Sequence, residues 1–179
     1  MEAMEKDDYD LLFLQIQARM KKSRRIKDRK KDMDFGMGFL IQIPDTFYPA
    51  DRNEAEQLFW TKDRPPVILL SENKSAGITF QTIPDWDGKT AKECGGKLHQ
   101  LLERMDSRTV FYESGIMGRQ VQAFWMEYKS FAKRERVYNL AFLFGIKERI
   151  ILGTFFSPFE EYGLWKEEIL KLLDTIREG

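Results

Sequence analysis

Cysteine and histidine are nearly missing from this chain of 179 residues, which contains one of each, Cys94 and His99. A single cysteine cannot form a disulfide within the chain, and this usage favours a reducing compartment, so we expect a cytoplasmic protein. A zinc site or a histidine-based metal site needs more ligands than these two residues offer. We therefore expect neither a metal nor a cofactor.

The sequence also has no apolar run of the roughly 18 residues that a membrane-spanning helix needs. Its 29 basic and 29 acidic side chains cancel, so no overall field favours nucleic acid. The apolar run at residues 11–16 follows acidic residues and precedes basic ones, which is the reverse of a signal peptide. What the chain does have is 42% hydrophobic and 13% aromatic residues, enough for one core.

Charge is distributed unevenly at the N-terminus. Residues 2–10 are mainly acidic, whereas residues 19–31 contain nine basic side chains opposed by Asp28 alone. Apolar residues recur at helical spacing ahead of the basic run: Tyr9, Leu12, Phe13, Ile16 and Met20. We predict a charged amphipathic helical arm over residues 1–33, followed by a single domain over residues 34–179.

This arm holds the candidate partner-binding residues: Leu12, Phe13, Ile16, Lys21, Lys22, Arg24 and Arg25. Its apolar face could dock on a protein partner or on a second copy of the chain. Its basic run could instead bind an anionic membrane surface or a nucleic-acid backbone. In the simplest alternative, the apolar part packs on the chain's own sheet and the basic run is a solvated linker.

Apolar residues alternate strictly between residues 33 and 43, which predicts one strand ended by Pro44, with six side chains on one covered face: Met33, Phe35, Met37, Phe39, Ile41 and Ile43. Residues 67–70 and 78–83 are expected to form a hairpin. Four consecutive strands follow, at 109–117, 120–129, 136–144 and 149–156. Their short connections require antiparallel pairing.

Three helices are predicted between and after these strands. The first is a short one at residues 51–60. The second covers 90–106, where Thr90 and Glu93 form a capping box and a stripe faces the core: Ala91, Cys94, Leu98, Leu101, Leu102 and Met105. The last covers 158–177, after a capping pattern at Ser157 and Glu160. The fold class is therefore α+β, a largely antiparallel six- or seven-stranded sheet flanked by helices.

No motif in the sequence predicts catalysis. Asp34-Phe-Gly36 matches a kinase triplet without its context, and Asp85-Trp-Asp-Gly88 lacks the remaining ligands of a calcium loop. Glu113, Glu127 and Glu135 could pair for acid–base work, but we interpret them as scattered surface charges. Cys94 and His99 lie on different faces of one helix, as a core cysteine and a surface histidine.

The order of elements resembles the PsbP-like superfamily of α/β/α sandwiches, over residues 35–178. The residues that carry the resemblance are Phe39-Leu-Ile-Gln-Ile-Pro44 with Phe47, and then Phe155-Phe-Ser-Pro158, Trp165 and Ile176. The superfamily includes a Ran-binding nuclear transport factor and bacterial relatives, and the resemblance implies a non-enzymatic protein-binding scaffold. No functional residue of the family carries over.

These observations predict a non-catalytic protein–protein interaction module, with a protein partner or self-association through the arm. One alternative is an adaptor that binds anionic membrane or nucleic acid through the basic residues 19–31. The other is an enzyme whose site no motif reveals.

Overall fold

The computed structural model describes residues 29–59, 62–84, 89–132 and 134–179. These residues contain ten strands: β1 (Lys30–Asp34), β2 (Phe39–Pro44), β3 (Tyr48–Pro49), β4 (Val67–Leu70), β5 (Gly77–Ile83), β6 (Val110–Met117), β7 (Ala123–Ala132), β8 (Glu135–Ile146), β9 (Arg149–Pro158) and β10 (Arg177–Glu178). They also contain three α-helices: α1 (Arg52–Leu58), α2 (Ala91–Met105) and α3 (Tyr162–Leu173). Of these described helices, none has the length and apolar character needed to cross a bilayer.

A seven-stranded antiparallel sheet has the order β3-β4-β5-β9-β8-β7-β6. The prediction of an α+β fold with a large antiparallel sheet is therefore confirmed. β9 lies in the middle, between β5 and β8, which explains why its sequence is apolar on both faces. The connection left between the strands predicted at 120–129 and 136–144 is mostly strand, because β7 continues to Ala132 and β8 begins at Glu135.

The two faces of this sheet carry separate cores. On one face, side chains of β8 pack with β2 and α3: Tyr138, Leu140, Phe142 and Phe144. On the other face, α2 packs against the alternate residues of β7, β8 and β9: Met126, Tyr128, Ala141, Leu143, Ile150 and Leu152. The alternation of side chains along each strand thus supplies both cores from the same strands.

The prediction of one strand across residues 33–43 is wrong, because this segment folds into a hairpin. β1 pairs antiparallel with β2, with Met33 opposite Ile41. Gly36 and Gly38 make the turn with φ of +72° and +92°, a conformation that glycine adopts without strain. Directly opposed residues point to the same side, so all six apolar side chains still join the core or pack against it: Met33, Phe35, Met37, Phe39, Ile41 and Ile43.

β2 is also paired along its other side, by the last strand, β10, so that a separate three-stranded sheet forms in the order β1-β2-β10. The N–H of Gln42 donates to the hydroxyl of Thr175 at 3.0 Å. Arg177 forms an ion pair with Asp32 at 3.0 Å, which joins the two outer strands. Residues 30–33, which the sequence assigned to the arm, are therefore part of this sheet.

The capping box of α2 is confirmed, since Thr90 and Glu93 bond each other's backbone N–H groups. The predicted buried stripe is partly wrong: Leu101 is 52% exposed and Met105 is 73% exposed. The side of α2 closest to the sheet carries Gly95, where the absence of a side chain leaves room for the ring of Phe124 from β7. The helix is therefore rotated relative to the prediction, and Leu101 points outward.

The predicted capping pattern of the last helix is wrong. Ser157 lies in β9, and its hydroxyl donates to the carbonyl of Pro158 instead. A 3-10 helix (Phe159–Glu161) follows, and α3 begins at Tyr162 without a side-chain cap. Apolar residues at helical spacing within the predicted range 158–177 are buried: Tyr162, Trp165, Ile169, Leu172, Leu173 and Ile176.

Candidate functional site

A β-bulge interrupts β6 at the edge of the large sheet. Phe111 lies opposite Tyr128, and Ser114 lies opposite Met126, so two residues of β6 face Glu127 alone. The backbone N–H of one of them, Glu113, donates to Oε1 of Glu127 at 3.2 Å. A bulge of this kind redirects side chains locally, and this one brings the carboxylate of Glu113 toward that of Glu127.

Lys166 of α3 lies between these two carboxylates. Its Nζ is 2.7 Å from Oε2 of Glu113, 3.0 Å from Oε1 of Glu127 and 3.2 Å from the hydroxyl of Tyr162. The hydroxyl of Tyr138 donates to the other oxygen of Glu127 at 2.7 Å. We call these five residues the Glu127 cluster; it joins α3 to β6, β7 and β8.

Burial and charge set the protonation states in the Glu127 cluster. Burial acts to lower the pKa of Lys166, but the hydrogen bond of Glu113 and the charge and hydrogen bond of Glu127 outweigh it, so the pKa is raised. Burial, reinforced by the charge of Glu127, raises the pKa of Tyr138 well above its usual value. Both side chains therefore keep their protons at neutral pH, and neither is suited to act there as a base or nucleophile.

All three N–H donors of Lys166 are matched by the three oxygens around it. Glu127 is 1% exposed and the side chain of Lys166 is 13% exposed, so the pair is held inside the fold. An ammonium with every donor engaged has none left for a substrate. The Glu127 cluster thus has the properties of a structural cross-link.

The interpretation of the three glutamates as scattered surface charges is wrong for Glu127, which is 1% exposed, whereas Glu113 is 73% exposed but shares Lys166 with it. Lys166 brings Glu113 and Glu127 together, whereas Glu135 is exposed at the start of β8. Lys166 and Tyr138 were not predicted as members of any site. A signal existed in β7, where Glu127 falls between buried Trp125 and Lys129 on the core face, because a carboxylate in such a position requires a partner.

Cys94 and His99 have separate surroundings, as predicted. Cys94 is fully buried in the core beneath α2, and burial raises the pKa of its thiol. The ring of His99 stacks on that of Phe111 with centroids 3.7 Å apart, and its Nε2 lies 3.3 Å from Oε1 of Glu103. Among the described residues, no group of three or more His, Cys, Asp or Glu is placed to hold a metal ion.

An open pocket of about 360 Å³ lies between α2 and the β6–β7 edge. Phe124 and Met126 of β7 line it on the sheet side, and the paired glycines 95 and 96 line it on the helix side. Its polar lining consists of His99, Gln100, Glu103 and Ser114. Ile116 lies two residues beyond Ser114 and therefore on the same face of β6, where it is 57% exposed.

The sheet edge beside this pocket has no partner strand among the described ranges, because β6 ends the strand order. The opposite edge strand, β3, has only two residues, and one of them is Pro49, which has no N–H to offer. β6 is eight residues long, and its bulge leaves the regular stretch 114–117. We call this stretch, with Ile116 and the pocket, the β6 edge site.

The candidate residues of the arm all lie outside the described residues: Leu12, Phe13, Ile16, Lys21, Lys22, Arg24 and Arg25. Binding to a partner, a membrane or nucleic acid through the arm stays a prediction. Asp34 of the kinase-like triplet accepts the N–H of Gly36 at 2.8 Å within the β1–β2 turn. Residues 85–88, the calcium-like segment, also lie outside the described ranges.

This chain resembles known proteins in its structure and not in its sequence. No family model matches the sequence, and no curated protein matches it. The solution structure of cyanobacterial PsbP (CyanoP) from Synechocystis sp. PCC 6803 aligns with a TM-score of 0.60 and 10% identity, over 87% of this chain and 95% of that one.

A crystal structure from Bacteroides thetaiotaomicron aligns with a TM-score of 0.50 and 10% identity, over 86% of this chain. The alignment spans about half of that protein, 49% of its length. LpqN of Mycobacterium tuberculosis, described as involved in cell envelope biogenesis, aligns with a TM-score of 0.46 and 11% identity, over 84% of this chain and 92% of that one. The cyanobacterial match, which covers most of both chains, shows that this chain has a PsbP-like fold.

Proposed function

We propose that this chain is a non-catalytic protein-binding domain and that its partner binds at the β6 edge site. The observation that carries the proposal is the position of exposed Ile116, on an edge strand without a partner in the described chain and beside a pocket with an apolar floor. Exposed apolar residues and unpaired strand edges are the features that recognition of another protein uses.

The Glu127 cluster supports the non-catalytic part of the proposal. It contains the buried acidic and basic side chains that would be the first candidates for acid–base chemistry, yet Lys166 has all its donors engaged within the fold. The resemblance to the PsbP-like superfamily, which implies a protein-binding scaffold, supports the binding part. The fully buried thiol of Cys94 fits a reducing compartment, and we propose the cytoplasm.

The test compares two exposed apolar residues, each replaced by arginine. Ile116 lies at the β6 edge site, and Leu58, 40% exposed on α1, is the matched control. Tagged full-length wild type, Ile116→Arg and Leu58→Arg are used for quantitative affinity purification from the native cell, after thermal melts confirm that all three fold. We expect proteins recovered with wild type and Leu58→Arg to be lost with Ile116→Arg. The same set of proteins with all three would refute the β6 edge site.

A further inference from the structure

We propose that the partner presents an extended peptide segment, which pairs with residues 114–117 of β6 and inserts one apolar side chain into the pocket under α2. This inference rests on the proposed function and specifies the occupant of the β6 edge site. It is distinct from docking of a folded surface, because it requires backbone pairing along the strand.

The backbone of β6 determines that the occupant is a polypeptide. In an antiparallel pair, every other residue directs both its N–H and its C=O away from the neighbouring strand. Along residues 114–117, the N–H and C=O groups that face away from β7 lie at an edge of the sheet that no strand of the described chain covers. A second extended chain offers donors and acceptors at the matching spacing, which is the basis of strand addition at sheet edges.

The bulge determines where such pairing stops. The N–H of Glu113 is already bonded to the side chain of Glu127, so the regular hydrogen-bonding register of β6 is broken at that point. A bulge also bends the strand locally and disrupts the ladder. Pairing therefore begins at Ser114, and the Glu127 cluster limits the segment to the last four residues of β6.

The pocket accounts for one side chain of the segment. A strand beside β6 places alternate side chains on the α2 face of the sheet, where Phe124 and Met126 provide an apolar floor. Gly96 leaves open space on the helix wall, since a Cβ there would meet nothing within 4 Å. A volume of about 360 Å³ accommodates one aliphatic or aromatic side chain.

The charge at the pocket determines which type of residue is favoured in the peptide segment next to its inserted side chain. Glu103 is the one acidic or strongly basic residue that lines the pocket, and its side chain is 58% exposed. A lysine or arginine beside the apolar residue of the segment is therefore favoured over a glutamate. Because ion pairs in this setting are screened by water, we expect a preference of no more than about fivefold.

The experiment selects phage-displayed random dodecapeptides on the immobilised full-length chain and synthesises the peptides that bind. Each backbone nitrogen of a selected peptide is then methylated in turn, which removes one hydrogen-bond donor at a time. Strand addition predicts that binding weakens at least about tenfold at alternate positions and little at those between. It also predicts an apolar residue next to a basic one, with replacement of the basic residue by glutamate weakening binding.

The pocket is tested with Gly96→Leu, which fills the open space on the helix wall, against Lys97→Leu, an exposed neighbour that does not line the pocket. We expect Gly96→Leu to abolish peptide binding, Lys97→Leu to retain it, and both variants to melt as cooperatively as wild type.

Two outcomes overturn the inference while leaving the proposed function in place. One is that selected peptides bind with no alternation in the methylation series. The other is that no peptide sensitive to Gly96→Leu is selected although Ile116→Arg still loses proteins in the affinity purification. If Ile116→Arg loses nothing and no such peptide is found, the proposed function fails together with the inference.

Discussion

The ring of Phe124 lies directly against the backbone of Gly95, so that a Cβ at residue 95 would come within 2.3 Å of two ring carbons. No real Cβ contact is that short, so any larger residue has to displace the ring or the helix. At the next residue, Gly96, the same Cβ would meet nothing within 4 Å. Two adjacent glycines of one helix therefore have opposite roles.

This pair gives the first prediction. Gly96→Ala should raise the free energy of unfolding by up to about 1 kcal/mol, because alanine is the better helix former and the site is open. Gly95→Ala should lower it by about 1 kcal/mol or more, since overpacking against Phe124 outweighs the same helical gain. Urea unfolding of both variants provides the measurement. Equal shifts of one sign would mean that α2 does not approach the sheet at Gly95.

The second prediction tests the rotation of α2. Leu98 is partly buried against the core beneath the helix, whereas Leu101 is 52% exposed. Leu98→Ala should lower the free energy of unfolding by about 2 kcal/mol. Leu101→Ala should change it by no more than about 0.5 kcal/mol. If chemical denaturation shows a larger loss of stability for Leu101→Ala, then Leu101 faces the core, as the sequence predicted.

The third prediction concerns the Glu127 cluster. Lys166→Met leaves Glu127 buried without its cation, and loss of one partner of a buried pair is expected to destabilise by about 3 kcal/mol. Lys171→Met is the control on the same helix, because Lys171 is exposed and pairs with Glu168 at 3.6 Å. It should change stability by less than about 1 kcal/mol. Similar thermal shifts for the two variants would contradict a structural role for Lys166.

The fourth prediction is a loss of stability at alkaline pH. Burial raises the pKa of Tyr128 to about 12, from 10.0. The folded state therefore keeps the Tyr128 proton to a higher pH than the unfolded chain does. The stability that this difference contributes is complete below pH 10 and declines as the pH rises toward 12. Between these two pH values the free energy of unfolding should fall by about 1.4 kcal/mol per pH unit. Tyr128→Phe should make the pH dependence of urea unfolding shallower in this range, and an unchanged slope would contradict the assignment.

The fifth prediction places the start of the folded domain. A chain beginning at Arg29 should melt as the full chain does, since every described strand and helix lies within it. A chain beginning at Phe35 lacks β1, exposes the side of β2 and should melt at a lower temperature. Light scattering of the same proteins tests association through residues 1–28. If the chain that begins at Arg29 fails to fold, residues 1–28 are instead part of the core.

Local sequence patterns predicted most of the strands but not their bends. Strict alternation through residues 33–43 reads the same for one long strand and for a hairpin whose turn returns the chain in register, and the left-handed φ at Gly36 and Gly38 decides between them. The rotation of α2 was missed for a related reason. The six apolar residues of the predicted stripe define a broad face, and the contact of Gly95 with Phe124 selects one side of it.

The candidate site depends on pairings between distant segments, which a single sequence does not reveal. The bulge at Glu113 is visible only once Ser114 is aligned with Met126 on the next strand. Lys166, which contacts Glu113 from α3, lies 53 residues after it in the chain. Periodicity in β7 indicates that Glu127 needs a partner, but it does not identify that partner, so the other members of the Glu127 cluster and the β6 edge site could not be predicted.

The position of β2 between the first and last described strands has a consequence for the order of folding. Gln42 of β2 bonds Thr175, a residue 133 positions later, and β10 follows just beyond it. During synthesis on a ribosome, β2 can pair with β1 early, but its other side stays open until residues 177–178 have emerged. Contacts this distant in sequence slow folding, and an open strand edge is prone to aggregate in the meantime. Nascent chains halted before residue 175 should therefore be the species that most needs a chaperone.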